Sequence, residues 1–358
     1  MRIAQLAPLA ESVPPKQYGG TERVVSWLTE ELVALGHQVA LFTTADSKTR
    51  AELVPVWPSP TRLSRPRPDP LAALTPLLET IGELASEFDV IHSHLDWIHL
   101  PVLSRLDVPF LTTLHGRLDL PYLRTTVRSF KDAPFVSISN SQRRPLPHLN
   151  WVGTVYHGLP PSLLRPRIEP QEHLAFLGRI SPEKGPDIAI RLAKAAGLPL
   201  RIAAKIPRDG NRYYQREVQP LVDGRDIQFI GEVDDRGKAE LLGTAKALLF
   251  PIDWAEPFGL VMIEAMACGT PVIAWRRGSV PEVIENGLTG FVVDSEEEAL
   301  RAIRRLGELD RSRIRAEFER RFTARRMAQD YVSVYERIIG EASVTGLQDS
   351  IITPLAAE

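Results

Sequence analysis

Ala247-Leu-Leu-Phe-Pro-Ile-Asp-Trp-Ala-Glu256-Pro-Phe-Gly-Leu-Val-Met-Ile-Glu264-Ala-Met-Ala-Cys-Gly-Thr-Pro-Val-Ile-Ala274 is the stretch from which the fold can be read. Ala247–Phe250 is a short apolar run of the kind that forms a strand buried on both faces. A loop carrying Glu256 and Gly259 follows, and a helix is expected to begin near Leu260. Pro271–Ala274 is a second apolar run. Strand, helix and strand in so short a span predict a parallel crossover unit.

The same alternation extends in both directions. Toward the C-terminus, Phe291–Val293 reads as a strand. Ser295 with Glu298 three residues later is a capping box that opens a helix through about Leu306. A last helix is expected over roughly Ala324–Ile339. Toward the N-terminus, Ile227–Ile230, Leu200–Ala204 and Leu174–Leu177 complete one set of strands. A second set comprises Ile3–Ala7, Val39–Phe42, Val90–His92, Phe110–Thr113, Phe135–Ile138 and Val152–Val155. Between the first two of these, Val24, Trp27, Leu28, Leu32 and Leu35 recur at helical spacing and predict a helix from Thr21 to Leu35, stopped by Gly36.

Proline punctuates the pattern. Residues 55–70 hold six prolines, which predicts a surface excursion rather than a helix or central strand. Pro160, Pro161, Pro166 and Pro170 separate the two strand sets and predict a semi-rigid spacer. The expected organisation is a Rossmann-like domain over 1–160, a hinge at 161–170 and a second Rossmann-like domain over 171–322. A C-terminal helix at 323–340, placed to cross back to the first domain, and a flexible tail at 341–358 complete it. Two parallel α/β domains facing each other across a cleft is the economical architecture; the halves share no repeated motif.

Composition excludes several classes of function. At 358 residues the chain has length for about two domains. Apolar residues at 44% and charged residues at 25% are those of a globular protein. Lys+Arg 43 against Asp+Glu 45 gives a net charge of −2, so no positive field recruits nucleic acid. The one cysteine, Cys268, makes neither an intramolecular disulfide nor a Cys-rich zinc module. No run of 18 apolar residues exists to span a membrane, and Met1–Ala10 lacks the long apolar core of a signal peptide. A cytoplasmic location is expected; the sequence carries no signal for an oligomeric state.

Two segments could carry chemistry. The helix expected at Leu260 has unpaired N–H groups and partial positive charge at its start, which attract anions, and Gly259 lets the backbone approach a ligand. Glu264, about one turn further, could accept hydrogen bonds from a ribose diol. The plainer alternative is a capping carboxylate at Glu256 and a solvated Glu264. The second segment is Leu177-Gly-Arg179-Ile-Ser-Pro-Glu-Lys184-Gly185, again strand, loop and helix start. Arg179 offers a planar fork and Lys184 a point charge to one anion, as a diphosphate leaving group without a metal requires. Two solvated surface cations are the alternative.

Together these segments, with the opening YGGTERVVSWLTEELVALGHQVALFTT, resemble the retaining nucleotide-sugar glycosyltransferases of family 4, which have the GT-B fold. The similarity runs from Gly19-Gly20 to the final helix, and the E-x7-E spacing of Glu256 and Glu264 within EPFGLVMIEAMACGTPVIA is its most specific mark. The resemblance implies that Arg179 and Lys184 hold the donor diphosphate and Glu264 the ribose. It implies that Glu256, with backbone N–H groups of Phe258, Gly259 and Leu260, holds the sugar hydroxyls. Gly20, after Gly19, would approach the phosphate, and His115 in Thr-Leu-His-Gly would sit beside the sugar on the acceptor side. Where the family often has Asn-Gly, this chain has His157-Gly158, so His157 either replaces a turn residue or touches the acceptor. Asp96, Arg117 and Asp119 are further acceptor candidates, with ordinary surface charge as the alternative.

The implied activity is transfer of a hexose from a nucleotide diphosphate sugar, UDP-sugars favoured over GDP-mannose, to a hydroxyl acceptor. No metal or other cofactor is expected. Domain closure would exclude water. A glycosidase pair is disfavoured, because hydrolytic carboxylates flank a sugar whereas Glu256 and Glu264 lie beside phosphate-binding cations. A dinucleotide oxidoreductase is disfavoured because no G-x-G-x-x-G follows the first strand. A non-catalytic nucleotide-sugar-binding protein, a phosphorylase and an epimerase stay open.

Two clusters invite other readings. His92, His94, Asp96 and His99 match no common zinc spacing, and a structural or substrate-facing role is favoured over a metal. Between Arg301 and Arg337 stand eleven arginines and six acids, a local excess of 5. A peripheral membrane contact is one reading; arginine–carboxylate pairs on solvated helix faces are the favoured one.

Overall fold

The computed structural model describes residues 1–16, 19–62, 64–167, 169–207 and 211–351, the last nine by backbone alone. The chain forms two units. One comprises Met1–Ile138, Pro145–Val155 and the segment from Arg325 onward; the other comprises Ser139–Arg144 and Tyr156–Ala324.

The first unit is built on seven parallel strands: β1 (Arg2–Leu6), β2 (Gln38–Thr44), β3 (Glu52–Trp57), β4 (Val90–Ser93), β5 (Phe110–Thr113), β6 (Phe135–Ser137) and β7 (Trp151–Thr154). Their order across the sheet is β3-β2-β1-β4-β5-β6-β7. Leu6 pairs with Phe42 on one side and Ser93 on the other. Helix Gly20–Ala34 buries Val24, Trp27, Leu28 and Leu32, four of the five apolar residues anticipated from spacing, while Leu35 is its half-buried C-cap. Ala4, Leu6, Phe42 and Ile91 pack with Leu77 and Ile81 of helix Pro70–Leu84 in another core layer.

That layer departs from expectation. The proline-rich 55–70 segment is not wholly an excursion, because Pro55 lies in β3, and β3 is an edge strand, where a missing N–H costs no ladder bond. Pro70 opens a helix, with the Asp69 carboxylate accepting from the backbone N–H groups of Leu71 and Ala72. Proline at a first helical position loses only a donor that has no partner there anyway.

The second unit has six parallel strands: β8 (Leu174–Arg179), β9 (Leu200–Lys205), β10 (Ile227–Gly231), β11 (Ala247–Phe250), β12 (Val272–Trp275) and β13 (Gly290–Val293), in the order β10-β9-β8-β11-β12-β13. Phe176, Ile202, Leu249 and Ile273 form its core with Ile190 and Ala193 of helix Pro186–Ala196 and Ile303 beyond the Ser295 cap. Ser295 Oγ accepts from Glu298 N, and the Glu298 carboxylate accepts from Asp294 N.

The expected hinge at 161–170 is fastened to the second unit. Arg315 donates to the carbonyls of Pro161 and Leu164, Arg311 donates to that of Arg167, and Leu164 is fully buried. The change of unit falls instead at 155–156 and 324–325, and Ser139–Arg144 belongs with the second unit. These same arginines explain much of the 301–337 cluster. Arg311 also binds the carbonyls of Ala245 and Gly243, and Arg321 binds those of Val283 and Glu282. Arg305, Arg320 and Arg326 pair with Glu308, Glu317 and Asp330. The carboxylate pairs offset part of this charge, and the carbonyl bonds fix the remaining arginines in place without neutralising them.

The last helix, Ala324–Ile351, runs a dozen residues beyond the expected Ile339 and through most of the expected tail; residues 352–358 of that tail lie outside the described residues. No described helix is long and apolar enough to cross a membrane.

In each sheet the strand order reverses once: between β1 and β4, and between β8 and β11. Loops leaving the carboxyl ends of two such strands diverge to opposite faces and leave a crevice, where ligands of open α/β sheets bind. Gly19 and Asp96 follow β1 and β4, and Lys184, Glu256 and Gly259 follow β8 and β11, whereas His115, Arg117 and Asp119 follow β5 and His157 follows β7.

Candidate active site

In the second unit the reversal brings together the loops after β8 and β11. Gly185 adopts φ 66°, and a Cβ there would lie 2.4 Å from the Pro251 carbonyl oxygen, so glycine is required by both conformation and space. Asp253 N donates to the Glu183 carbonyl, which ties one loop to the other. Lys184 Nζ then meets Glu256 Oε2 at 2.5 Å, with only 18% and 10% of the two side chains exposed. Its ammonium also lies 4.9 Å from the Trp254 ring centroid and 5.5 Å from that of Phe250. A cation held over aromatic faces and against a carboxylate is not a solvated surface lysine. Arg179 Nη2 pairs with Glu183 at 2.9 Å on the more open side.

Gly259, at φ 79°, begins helix Leu260–Ala267 with no side-chain cap, so Glu256 is not the capping carboxylate that the sequence left open. Glu264 is 4% exposed and receives Lys238 Nζ at 2.7 Å, so it is not solvated either. The Glu256 loop is braced from behind. Ser279 N donates to the Glu256 carbonyl, Ser279 Oγ to the Phe258 carbonyl and Ser139 Oγ to the Pro257 carbonyl. A Cβ on Gly278, at φ 55°, would lie 2.3 Å from both Glu256 N and O. Glu282 fixes the 139–144 segment by accepting from the N–H groups of Asn140 and Ser141, each at 2.7 Å. The Phe258 side chain is core, 2% exposed. His157 is buried edge-on against it at 4.9 Å between centroids, which gives His157 a packing role.

The first unit's reversal point has a different chemistry. Gly19 needs room rather than a special φ: a Cβ there would meet Pro15 Cβ at 2.8 Å and Glu22 Oε2 at 3.0 Å. Gly20 is the first residue of the following helix. Burial raises the Glu22 carboxyl above its ordinary range. His94, just past β4, bonds His115 through Nδ1 at 2.8 Å and Gln5 Oε1 through Nε2 at 2.8 Å. Gln5 Nε2 reaches Tyr335 OH at 3.1 Å, and Tyr335 OH reaches His92 Nδ1 at 2.7 Å. His92 Nε2 then meets Thr113 Oγ1 at 2.8 Å, which meets Tyr331 OH at 2.9 Å. Desolvation holds His92 well below its ordinary value and lowers His99 and His115 to about 3. The histidines expected to be structural or substrate-facing are thus hydrogen-bonded core groups in the cases of His92 and His99, with His99 Nε2 2.7 Å from Thr112 Oγ1. Among the described residues no three acidic, histidine or cysteine side chains are grouped to hold a metal.

Asp96 is exposed at φ 56°, a conformation that Asp tolerates better than most residues. Arg117 and Asp119 pair with each other, at 2.7 and 2.8 Å, on the surface. The structure therefore unites Arg179, Lys184, Glu256, Gly259, Leu260 and Glu264 in one unit, and His115 with the β4 loop in the other. Lys238, Gly278, Ser279, Gln5 and Tyr335 were not anticipated, for each acts through a partner remote in sequence.

Comparison with known proteins agrees with this geometry. Residues 165–323 match the family model described as glycosyl transferases group 1, and residues 18–149 match glycosyltransferase family 4. D-inositol 3-phosphate glycosyltransferases of Mycobacterium tuberculosis and Mycobacterium bovis are 31% identical over 181 residues. That match covers 47% of this chain and 38% of the length of each relative. Among solved structures, AviGT4, a glycosyltransferase involved in avilamycin A biosynthesis, superposes with a TM-score of 0.72 at 24% identity, covering 95% of this chain and 98% of its own. Sucrose-phosphate synthase from Thermosynechococcus elongatus gives 0.76 at 20%, covering 95% and 100%. HepE of Anabaena, crystallised with UDP and glucose, gives 0.72 at 19%, covering 94% and 100%. The fold is GT-B, and the chain belongs to the family-4 glycosyltransferases.

Proposed function

We propose that this protein transfers a hexose, with retention and without a metal, from a nucleoside diphosphate sugar of the UDP-glucose type to a hydroxyl acceptor. The observation that carries this reading is the Lys184–Glu256 pair at the reversal point of the second sheet. Without donor, each charge neutralises the other. A diphosphate entering the crevice competes for the Lys184 ammonium, while Arg179 offers its fork from the open side. Glu256, relieved of Lys184, is then left to accept hydrogen bonds from sugar hydroxyls.

Leu260 starts a helix whose positive end favours the same diphosphate. Glu264, paired with Lys238, would accept hydrogen bonds from the ribose diol. In the reaction the acceptor oxygen bonds to the anomeric carbon on the face from which the phosphate oxygen departs. The acceptor proton passes to that phosphate oxygen, so no protein base is required. Gly20 and His115 are the first unit's candidates for donor and acceptor contacts. The relatives that bind or use related compounds support the reading: HepE was crystallised with UDP and glucose, and the mycobacterial relatives are inositol phosphate glycosyltransferases.

The test is calorimetric titration in EDTA with UDP-glucose, UDP-galactose, UDP-N-acetylglucosamine and GDP-mannose. Saturable binding of one UDP-sugar, abolished by Arg179→Ala, is expected. Binding of none, or binding that needs a divalent metal, would overturn the proposal, and binding with no transfer to any hydroxyl acceptor would make the chain a nucleotide-sugar-binding protein.

A further inference from the structure

The Gln5–His94–His115 chain has a direction, and that direction bears on what His115 can do. Gln5 Oε1 only accepts, so His94 must carry its proton on Nε2, 2.8 Å away. Burial of His94 disfavours a charged ring, which leaves Nδ1 a lone pair, and the 2.8 Å contact to His115 Nε2 then requires His115 to donate. His115, neutral at ordinary pH because burial holds it near 3, must carry its proton on Nε2 and its lone pair on Nδ1. The other limb agrees. Gln5 Nε2 donates to Tyr335 OH, Tyr335 donates to His92 Nδ1, and His92 donates from Nε2 to Thr113. Along these bonds each donor meets an acceptor as far as Thr113, which in this direction donates to the Tyr331 hydroxyl at 2.9 Å.

Rotating the Gln5 amide by half a turn would reverse both limbs at once and leave His115 with the opposite tautomer. No single bond in the network can reverse alone without setting two donors or two lone pairs against each other in a buried site, at a cost of about 1–3 kcal/mol. The network therefore has two self-consistent states, and the placement of one amide chooses between them.

We infer that Gln5 is a positioning residue that, through His94, fixes His115 as the Nε2–H tautomer, so that Nδ1 acts as a hydrogen-bond acceptor. Any hydroxyl engaging Nδ1 must be the donor of that bond, as a sugar or acceptor hydroxyl can be and a phosphate oxygen cannot. Tyr335, from the C-terminal helix, accepts from the opposite end of the amide, while the bond to His94 is the one that reaches His115. The significance of the tautomer for catalysis rests on the proposed glycosyl transfer; the tautomer itself does not.

The experiment is long-range 1H–15N correlation spectroscopy on the full chain labelled with 15N-histidine, with the His115 resonances assigned by their loss in His115→Gln. The chain has eight histidines, which keeps the spectrum tractable. Expected is a pyrrole-type Nε2 and a pyridine-type Nδ1 at neutral pH in the wild type. Gln5→Met, or Gln5→Asn if the former fails to fold, should give a tautomeric mixture at His115. Tyr335→Phe, which leaves the amide on His94, should retain the single tautomer. The opposite tautomer in the wild type, or an unchanged tautomer in a folded Gln5 variant, would overturn the inference. In UDP-glucose hydrolysis, Gln5→Met should lower kcat about tenfold with KM little moved, the effect of one misdirected hydrogen bond. A hydrolysis rate unchanged by Gln5→Met and by His115→Gln alike, with the wild-type tautomer as expected, would refute the catalytic role of His115 and leave the tautomer assignment standing.

Discussion

The two units use one topology to build opposite electrostatic settings. At the reversal point of the second sheet, Lys184–Glu256 and Lys238–Glu264 form ion pairs 6–19% exposed. At that of the first, Gln5, His92, His94 and Thr113 and two tyrosines of the C-terminal helix are joined by hydrogen bonds that include no carboxylate, lysine or arginine. Topology supplies the crevice; side chains decide whether it suits a charged ligand or a neutral hydroxyl. On the proposed mechanism the Lys184–Glu256 pair exchanges partners when a diphosphate arrives. A buried neutral network exchanges nothing, but it fixes where protons sit.

This contrast can be broken by acid. His92 and His99 have folded values below the ordinary 6.5, so the unfolded chain binds more protons as pH falls below about 6.5. Their contribution to stability is complete above 6.5 and is lost on acidification below it, down to about 3 for His99. Across pH 6 to 4, hydrogen exchange should show the first unit opening more steeply than the second, because His92, His99 and His115 are all lowered there with Asp96, raised to about 6, offsetting one of them, against the lowered His173 of the second unit. His99→Gln should flatten the dependence. Equal slopes in the two units would refute the contrast.

Next in size is Arg179→Ala. Losing one preorganised donor at a departing phosphate lowers turnover about 100-fold, read in steady-state transfer from UDP-glucose. Near-wild-type turnover would detach Arg179 from the phosphate. Gly278→Ala drives a Cβ into the Glu256 backbone and strains a positive φ, so a loss of about 2 kcal/mol in chemical denaturation is expected. It should be accompanied by weaker sugar binding, and an unchanged denaturation midpoint would remove the brace. Smallest is Lys238→Met, which leaves the buried Glu264 carboxylate without its cation. Donor KM should rise about tenfold with kcat nearly constant. A fall in kcat alone would move Lys238 and Glu264 into the chemistry and blur the comparison.

Much of this was legible in the chain. All six strands of the second sheet and six of the seven in the first were visible as apolar runs, because burial on both faces selects apolar residues. The missed strand, β3, was hidden by Pro55, since proline at a sheet edge and proline in a loop look alike from sequence. Arg179, Lys184, Glu256 and Glu264 were legible through the resemblance that their segments carry. Lys238 was not, because an ordinary helical lysine has no signature until its helix is set beside Glu264. Arg311 and Arg315 read as surplus charge, whereas they bind backbone carbonyls of the second unit.

By itself the sequence determined the periodicities, the caps and the glycine positions, since these depend on neighbours within a few residues. It thereby determined two parallel α/β units and their family. Only the tertiary structure decided the partners. Lys184 meets a carboxylate 72 positions away and Gln5 a tyrosine 330 positions away. The charge state of a lysine or the tautomer of a histidine follows from what folding places within 3 Å of it, and no local pattern encodes that distance.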